Sequence, residues 1–458
     1  MSNKIHLIGI GGTGLSAIAT VLLQRGYTVS GSDMQASAYT NRLVDMGATI
    51  YIGQRAENLQ PDLDTVIISS AIPDHNPELQ AARQLNLPVV KRAEWLGQMM
   101  VGQTGIAVAG THGKTTTTSM IAYLLEQAGE APTYIIGGVV PQLHGNAKAG
   151  TGSAFVIEAD EYDHMFLGLR PEIAVLTTLE WDHPDIFPTL ADTQQAFTDF
   201  IQLVPDHGTI IACGDETGVM AVTRYSSAPV ITYGLTAHND WQAVDIQPNQ
   251  SGGHDFVVLY NEDKTSERSK LAVSLAVPGL HNVANCLATL VVAHKQGLNV
   301  RRAVQILGQF QGVERRFQQK GLVNGITVID DYAHHPTEIK ATLHAARTRY
   351  PKQRIWAVLQ PHTFSRTKIL LIEFAQAFEH VDQVIVVDIF ASREVDDGSI
   401  SSADILDMMD HPQARHIGPL RNTADYLIDH LQSDDVLITL GAGDGYLVGE
   451  WVLAGLDA

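Results

Sequence analysis

The fold is decided by the stretch from residue 106 to residue 118, which reads IAVAGTHGKTTTT. A short β-branched apolar run is followed by a glycine-containing turn and then by a segment that can open a helix. In such a unit backbone N–H groups can surround phosphates, Lys114 can neutralise the β and γ oxygens, and the Thr115 hydroxyl can ligate Mg²⁺. The glycine that the eight-residue phosphate-loop pattern has five positions before Gly113 is absent, although Gly110 is present. We predict ATP binding at this loop.

The same strand, turn and helix unit recurs along the whole chain, which is typical of parallel α/β sheets. The predicted strands include residues 5–10, 66–69, 106–109, 155–157, 173–176, 327–329, 356–359, 384–387 and 436–440. Nearly every run ends in unusual polar residues. Because ligands bind beyond the carboxyl ends of strands in open α/β sheets, we expect functional sites at these ends.

Restarts of this pattern divide the chain into three predicted domains, at residues 1–103, 104–313 and 314–458. A charged link at 312–317 and a short hairpin-like stretch precede the third series. Residues 246–270 are polar and partly alternating, which predicts an exposed antiparallel hairpin inside the middle domain.

Length and composition limit the possible functions. The 458 residues suffice for about three domains of 150 residues. Thirty Lys and Arg against 50 Asp and Glu give a net charge of −20, which disfavours nucleic-acid or anionic-membrane partners. Two cysteines are too few for a disulfide framework. The opening residues resemble no signal peptide and no run of 18 apolar residues follows, so we expect a cytoplasmic protein.

A second glycine-rich turn follows the first predicted strand and opens a helix, as GIGGTG at residues 9–14. Asp33 lies nineteen residues beyond its last glycine. The helix N-terminus can bind a diphosphate, but the motif alone does not say which nucleotide. Read alone it predicts NAD binding and leaves an NAD-dependent oxidoreductase as one hypothesis. Ser69 and Ser70 could close over the same ligand.

Two acidic runs end neighbouring predicted strands, EADEYDH at 158–164 and EWDHPD at 180–185. So many carboxylates repel one another unless cations are bound, and their hard oxygens suit Mg²⁺. His164 and His183 make Zn²⁺ an alternative, and a solvated acidic loop is another.

Polar residues at three further turns are candidates for ligand contacts. Asn282 and Asn285 share one face of a predicted helix, although Asn282 could instead be a helix N-cap. The runs DDYAHHPTE at 330–338 and QPHTFSRT at 360–367 follow strands of the third domain. Arg366 in the second run could hold a carboxylate with two hydrogen bonds, unless it faces solvent.

Taken together, these motifs resemble those of the Mur ligases of peptidoglycan synthesis and occur in the order of that family. The matching segments are GTHGKTT at 110–116, EADE at 158–161, DH at 182–183, HN at 281–282 with Asn285, RRF at 315–317, and the runs at 330–338 and 360–367. The resemblance implies a Rossmann-like N-terminal domain for a UDP-sugar and a central P-loop ATPase domain with a mostly parallel sheet. It also implies a Rossmann-like C-terminal domain that closes over the nucleotide and an amino acid.

Matching motif positions implies roles for individual residues, with ATP and Mg²⁺ as cofactors. ATP contacts would come from Gly110, Thr111, His112, Gly113, Lys114, Thr115, Thr116, Asn282, Asn285, Arg316, Asp331 and His335. Mg²⁺ would be held by Thr115, Glu158 and His183. The UDP-sugar would contact Gly9, Gly11, Gly12, Thr13, Gly14, Ser32, Asp33, Ser69 and Ser70. The amino acid would contact His362 and Arg366. Lys114, Glu158, His183 and Arg366 would form the catalytic set.

Within the family, the likeness is to members that join L-alanine to UDP-N-acetylmuramate through an acyl phosphate, in cell-wall precursor synthesis. Tyr162 stands where those members usually have Ser, and residues 181–187 lean toward the recycling members that add a tripeptide to the same UDP-sugar. The tripeptide ligase therefore stays as an alternative. An oxidoreductase would leave Lys114 unexplained. We expect small-molecule substrates, no nucleic-acid or membrane partner, and a monomer or weak homodimer.

Overall fold

The computed structural model describes residues 3–261 and 268–457, and its strands form three sheets in sequence order. The first sheet consists of β1 (Lys4–Ile8), β2 (Thr28–Asp33), β3 (Thr49–Ile52), β4 (Thr65–Ile68) and β5 (Val89–Lys91). All five strands are parallel, in the order β3-β2-β1-β4-β5. The helices of this segment are α1 (Thr13–Gln24), α2 (Ala38–Asp45), α3 (Pro77–Gln84) and α4 (Arg92–Met99).

The second sheet has ten strands: β6 (Thr104–Ala109), β7 (Thr133–Val140), β8 (Gly145–Lys148), β9 (Ala154–Glu158), β10 (Ile173–Leu176), β11 (Thr209–Cys213), β12 (Val230–Gly234), β13 (Trp241–Pro248), β14 (His254–Tyr260) and β15 (Ser269–Leu275). Their order is β15-β14-β13-β12-β11-β10-β6-β9-β7-β8, with antiparallel pairing only at the two edges. The helices of this segment are α5 (Lys114–Ala128), α6 (Leu190–Ile201), α7 (Thr217–Thr223), α8 (Leu280–Lys295) and α9 (Val300–Leu307).

The third sheet consists of β16 (Gln318–Val323), β17 (Ile326–Asp331), β18 (Ile355–Leu359), β19 (Gln383–Val386), β20 (Ala414–His416) and β21 (Val436–Leu440). Its order is β16-β17-β21-β18-β19-β20, and only β16 is antiparallel to its neighbour. Its helices are α10 (Pro336–Arg349), α11 (Phe364–Ile369), α12 (Leu371–Ala375), α13 (Ser402–Met408), α14 (Leu420–His430) and α15 (Tyr446–Leu456). The predicted α/β class with three mostly parallel sheets is confirmed.

Most details of the strand prediction also hold. Every predicted apolar run lies in a strand, although Gly9, Ile10, Ser69 and Val387 fall just beyond strand ends. The predicted hairpin at 246–270 is wrong in one respect. β13, β14 and β15 pair antiparallel there, but alternate side chains of β14 are buried, so the segment widens the central sheet instead of standing exposed. Residues 262–267 of that prediction lie outside the described residues.

Sheet order explains why distant motifs meet. β6 lies between β9 and β10, and all three are parallel. Their carboxyl ends therefore lie side by side at one sheet edge, which brings the loop after Ala109, Glu158 and the run after Leu176 together. In the third sheet, β17 and β18 both pair in parallel with β21, so the runs that follow β17 and β18 also lie at the same end of their sheet.

The three segments are not joined in the same way. One continuous apolar core contains side chains of α1 and β1 together with Phe155, Phe166 and other residues of the central segment. The cores of the third segment contain its own residues. Among the described residues, no helix combines the length and the apolar character needed to cross a membrane.

Candidate active site

The loop between β6 and α5 has the backbone shape that its glycines permit. Gly110 and Gly113 have φ values of 141° and 82°, in the region that favours glycine. A Cβ atom on Gly110 would lie 2.0 Å from Thr177 Oγ1, so a larger residue would displace the neighbouring strand end. Gly113 directly precedes α5. The free N–H groups of the first turn of α5 are therefore directed toward the loop, as an anion site requires.

Lys114 lies folded over this loop. Its Nζ donates to the carbonyl oxygens of Gly110 at 2.6 Å and Thr111 at 3.1 Å, and to Glu161 Oε1 at 2.9 Å. Burial lowers the pKa of Lys114, but the charges of Glu161 and Asp160 outweigh burial and raise it. A permanent positive charge thus stands where a bound phosphate would need one.

The predicted Mg²⁺ ligands lie around the same loop. Thr115 Oγ1 donates to Glu158 Oε1 at 2.9 Å, and the Gly137 amide donates to Glu158 Oε2 at 2.7 Å. His183, with a φ of 54°, follows β10, and its buried Nδ1 has no hydrogen-bond partner. Burial also lowers the pKa of His183, which keeps the imidazole neutral and able to ligate. A hydroxyl, a carboxylate and a neutral imidazole therefore fit a divalent cation. His164, the other histidine of the Zn²⁺ alternative, packs against Phe187 with ring centroids 5.2 Å apart and lines neither of the two cavities described below.

A side cavity of about 250 Å³ opens next to the phosphate loop. Eight predicted ATP residues line it: His112, Gly113, Thr115, Thr116, Asn282, Asn285, Arg316 and Asp331. Asn282 is not the N-cap of α8, which is Gly279. Its Nδ2 donates to the Pro278 carbonyl at 2.7 Å, and its Oδ1 accepts from Asn285 Nδ2 at 3.0 Å. The pair is thereby oriented so that Asn285 Oδ1 lies beside Gly113.

The wall of the side cavity that the third segment contributes includes the charged residues Arg316, Asp331 and Glu338. Asp331 accepts from the amides of Phe317 and Ala333 at 2.8 and 2.7 Å. Burial raises the pKa of Asp331 to about 6, and the Arg316 charge opposes that rise. His335, predicted to reach the nucleotide, lines neither this cavity nor the larger one described below.

His112 of the phosphate loop joins the central and third segments. Its Nε2 lies 3.4 Å from Glu180 Oε2, and its Nδ1 lies 3.3 Å from Glu338 Oε1 of α10. The His335 ring lies 4.7 Å from the His112 ring. Burial lowers the pKa of His112, but Glu338 and Glu180 outweigh burial and raise it to about 9. In this arrangement His112 carries a positive charge between two carboxylates.

A larger central cavity of about 720 Å³ connects all three segments. Its lining includes Thr13, Gly14, Tyr39, Arg92, Lys114, Thr115, Glu158, Asp160, Tyr162, Asp182, His183, Asp185, Arg316, His334, His362, Arg366 and Arg393. Lys114, Glu158, His183 and Arg366, which the motifs assigned to catalysis, thus face one space. The motifs did not indicate Tyr39, Arg92 or Arg393, because none of them lies in a recognisable pattern.

Only part of the predicted UDP-sugar set faces the central cavity. Thr13 and Gly14 line it, and a Cβ atom on Gly14 would lie 2.2 Å from Arg92 Nη1. Asp33 Oδ2 accepts from the Gly11 amide at 2.8 Å and so fixes the glycine turn. The Ser32 side chain is fully buried and donates to Glu78. Gly9, Gly12, Ser69 and Ser70 line neither cavity.

The predicted amino-acid residues, His362 and Arg366, also line the central cavity. Arg366 Nε and Nη2 both donate to Asp182 Oδ1, at 3.0 and 2.7 Å, and Nη1 lies 3.1 Å from His362 Nδ1. Burial raises the pKa of Asp182, but Arg366 and His183 outweigh burial and hold that pKa far below its usual value. Arg366 is therefore bound to a buried carboxylate of the central segment. Thr363, which precedes α11, has a φ of 65°, an unusual value for a β-branched residue.

Three family models match this chain in succession. The "Mur ligase family, catalytic domain" matches residues 4–104, the "Mur ligase middle domain" residues 108–293, and the "Mur ligase, glutamate ligase domain" residues 315–443. The chain therefore belongs to the Mur ligase family, whose members are ATP-dependent ligases that form amide bonds.

Individual proteins of this family are similar to the chain over nearly its full length. The chain is 42% identical over 452 residues to the UDP-N-acetylmuramate--L-alanine ligase of Caldanaerobacter subterraneus subsp. tengcongensis, covering 98% of this chain and 96% of that one. It is 43% identical over 454 residues to the protein of that name from Alkaliphilus metalliredigens, covering 98% and 97%. Among solved structures it is similar to the UDP-N-acetylmuramate-alanine ligase of Thermotoga maritima, with a TM-score of 0.83 and 28% identity over 98% of both chains. A murein peptide ligase from Psychrobacter arcticus gives a TM-score of 0.75 and 27% identity over 99% and 98%.

Proposed function

We propose that this protein joins L-alanine to UDP-N-acetylmuramate at the expense of ATP, in the synthesis of peptidoglycan precursors. The observation that carries the proposal is the central cavity. It connects the glycine turn at Thr13 and Gly14, the phosphate loop at Lys114, and Arg366. These three parts belong to three successive segments of the chain, each with its own sheet. Such a space can bring a sugar-linked acid, a triphosphate and an amino acid together. The names of the relatives at 42% and 43% identity support these substrates.

The chemistry follows from the weakness of a carboxylate as an electrophile. Transfer of the γ-phosphoryl group of ATP to the lactyl carboxylate gives an acyl phosphate and ADP. The amine of L-alanine then attacks the acyl carbon, and phosphate leaves with loss of a proton from nitrogen. Lys114 and the N–H groups of α5 neutralise charge as the two anions approach. Closure of the third segment over the cavity excludes water, which would otherwise hydrolyse the acyl phosphate.

Thr115, Glu158 and His183 would hold Mg²⁺, which neutralises phosphate charge when bound. In the side cavity Asn282, Asn285, Arg316 and Asp331 would contact the nucleotide, together with Gly110, Thr111, His112, Gly113 and Thr116 of the loop region. His335 would act on this site through His112, since it lines neither cavity.

The remaining assignments belong to the same proposal. Residues 1–103 bind the UDP-sugar, 104–313 bind ATP, and 314–458 close over the nucleotide and amino acid. Within the first segment, Gly9, Gly11, Gly12 and Asp33 would shape the turn, while Ser32 would support it from the buried side. Ser69 and Ser70 would approach the UDP-sugar after a movement of their loop. The protein would act in the cytoplasm as a monomer or weak homodimer on small-molecule substrates.

Phosphate release measured with ATP, UDP-N-acetylmuramate and one amine substrate at a time tests the proposal. We expect L-alanine to give the highest kcat/KM, above glycine and L-serine. Fast release with a tripeptide and little with L-alanine would favour the recycling ligase. No release with either amine, despite binding of the UDP-sugar, would refute an amide ligase of this substrate.

A further inference from the structure

The buried pair of Arg366 and Asp182 leaves a chemical problem at the amino-acid end of the central cavity. A free amino acid carries a carboxylate that must be held while its amine attacks. The Nε and Nη2 edge of Arg366, which best fits a carboxylate, already faces Asp182, and the Arg366 side chain is 5% exposed. Arg366 alone therefore has only part of its guanidinium available for the substrate.

A second arginine, Arg393, lies at the rim of the same cavity. Its side chain is 48% exposed, its Nη2 donates to Asp185 Oδ2 at 2.6 Å, and its guanidinium carbon lies 4.6 Å from the centre of the Tyr162 ring. Within residues 3–261 and 268–457, its Nε and Nη1 have no hydrogen-bond acceptor. A half-exposed pair rearranges at lower cost than the buried pair of Arg366. Arg393 can therefore take up a carboxylate without losing its existing support.

The loop that carries Arg393 is fastened to the segment that carries Arg366. Phe390 pairs with His362 through a parallel bridge, and its carbonyl accepts from the Thr363 amide at 3.0 Å. Glu394, the next residue after Arg393, accepts from the Ser365 amide at 3.0 Å and also from the Ser365 hydroxyl. One backbone hydrogen bond and two hydrogen bonds to the Glu394 carboxylate thus hold Arg393 beside the start of α11.

The pKa of His362 agrees with a position of Arg393 close to Arg366. Burial, then the charge of Arg366 and then that of Arg393 lower the pKa of His362, to about 4. Both guanidinium groups are therefore close enough to His362 to act on the same imidazole. His362 is therefore neutral, and the carboxylates of Asp182, Asp185 and Glu394 accompany the two guanidinium groups near it.

We propose that Arg393 binds the α-carboxylate of the incoming amino acid together with Arg366. Tyr162 and Asp185 are positioning residues that hold the Arg393 guanidinium at the cavity rim. The inference rests on the proposed function, because a peptide substrate presents an amide where a free amino acid has its α-carboxylate.

Steady-state phosphate release with L-alanine and with L-alaninamide, which lacks the carboxylate charge, tests the role of Arg393. In Arg393→Gln we expect the KM for L-alanine to rise about 10- to 100-fold, as for loss of hydrogen bonds to a charged group. The KM values for ATP and UDP-N-acetylmuramate should stay within about twofold. The kcat/KM for L-alaninamide should be equal in wild type and Arg393→Gln. Arg393→Lys, which keeps the charge, should recover part of the loss.

Arg421→Gln is the matched control, since Arg421 also pairs with an acid, Asp425, and lies over a ring, Trp451, but lines neither cavity. It should leave every KM unchanged. An unchanged KM for L-alanine in Arg393→Gln, with active wild type, would overturn this inference alone. Equal losses with L-alanine and L-alaninamide would overturn it as well, because Arg393 would then act only on domain closure. Wild type that releases no phosphate with L-alanine would overturn both the inference and the proposed function.

Discussion

Asp182→Asn should loosen the third segment from the central one. The exchange keeps the shape of the side chain but removes the negative charge of the carboxylate. In wild type, Oδ1 of that carboxylate accepts two hydrogen bonds from Arg366, at 3.0 and 2.7 Å. Both side chains are less than a tenth exposed, at 8% and 5%, so Arg366 would stay buried without its anion. Breaking such a pair costs about 3–5 kcal/mol. Because Asp182 follows β10 and Arg366 lies on α11, this cost opposes docking of the two segments.

An effect of that size lowers the population of the docked arrangement about a hundredfold or more. Small-angle X-ray scattering of the ligand-free protein should therefore show a larger radius of gyration for Asp182→Asn than for wild type. The matched control is Asp74→Asn, which removes an exposed partner of Arg83 and should change the scattering curve very little. Equal curves for Asp182→Asn and Asp74→Asn would refute the argument that the buried pair holds the segments together.

Three further outcomes can be checked with the same protein. Lys114→Ala should abolish ADP formation yet leave UDP-sugar binding by calorimetry within about twofold, and equal loss of both in a folded variant would contradict separate sites. Glu158→Gln should raise the Mg²⁺ concentration needed for half-maximal activity about 10- to 100-fold, whereas an unchanged requirement would remove Glu158 from the metal site. His112, with its pKa raised to about 9 against an ordinary 6.5, stabilises the fold fully below pH 6.5 and loses this contribution as the pH rises through about 9. The difference in Tm between wild type and His112→Asn should therefore shrink from about pH 7 to about pH 10, and a constant difference would argue against a charged His112.

Features that depend on neighbouring residues could be predicted from the sequence. The glycines of the phosphate loop, the strand before them and α5 after them occur within a short stretch, and local backbone rules fix their shape. The rule that ligands bind at carboxyl strand ends also predicted where the sites lie, whereas the order of the strands comes from the structure. The meeting of Glu158 with Thr115 is an example, since β9 lies next to β6.

Contacts between residues that are distant in the chain could not be predicted from the sequence. The interpretation of Arg366 as a free carboxylate ligand did not include Asp182, which is 184 residues away in the chain. Ser32 was expected to face a ligand, but its hydroxyl donates to Glu78, 46 residues further on. Arg393 lies in a loop without a motif, and it reaches the cavity through its own hydrogen bond to Asp185 and through the bond of its neighbour Glu394 to Ser365. Side-chain pairing across elements depends on packing that periodicity does not encode.

The shared apolar core of the first two segments has a consequence for how the molecule denatures. Side chains of α1 and of the central sheet are buried against each other, so neither part can lose its core without exposing that of the other. The third segment keeps separate cores, and its contacts with the rest include ion pairs at Asp182, Asp185 and His112 and the hydrogen bond from Thr337 to Glu180. Heat or denaturant should therefore melt the chain as two cooperative blocks of unequal size, with the carboxyl-terminal block able to detach while still folded.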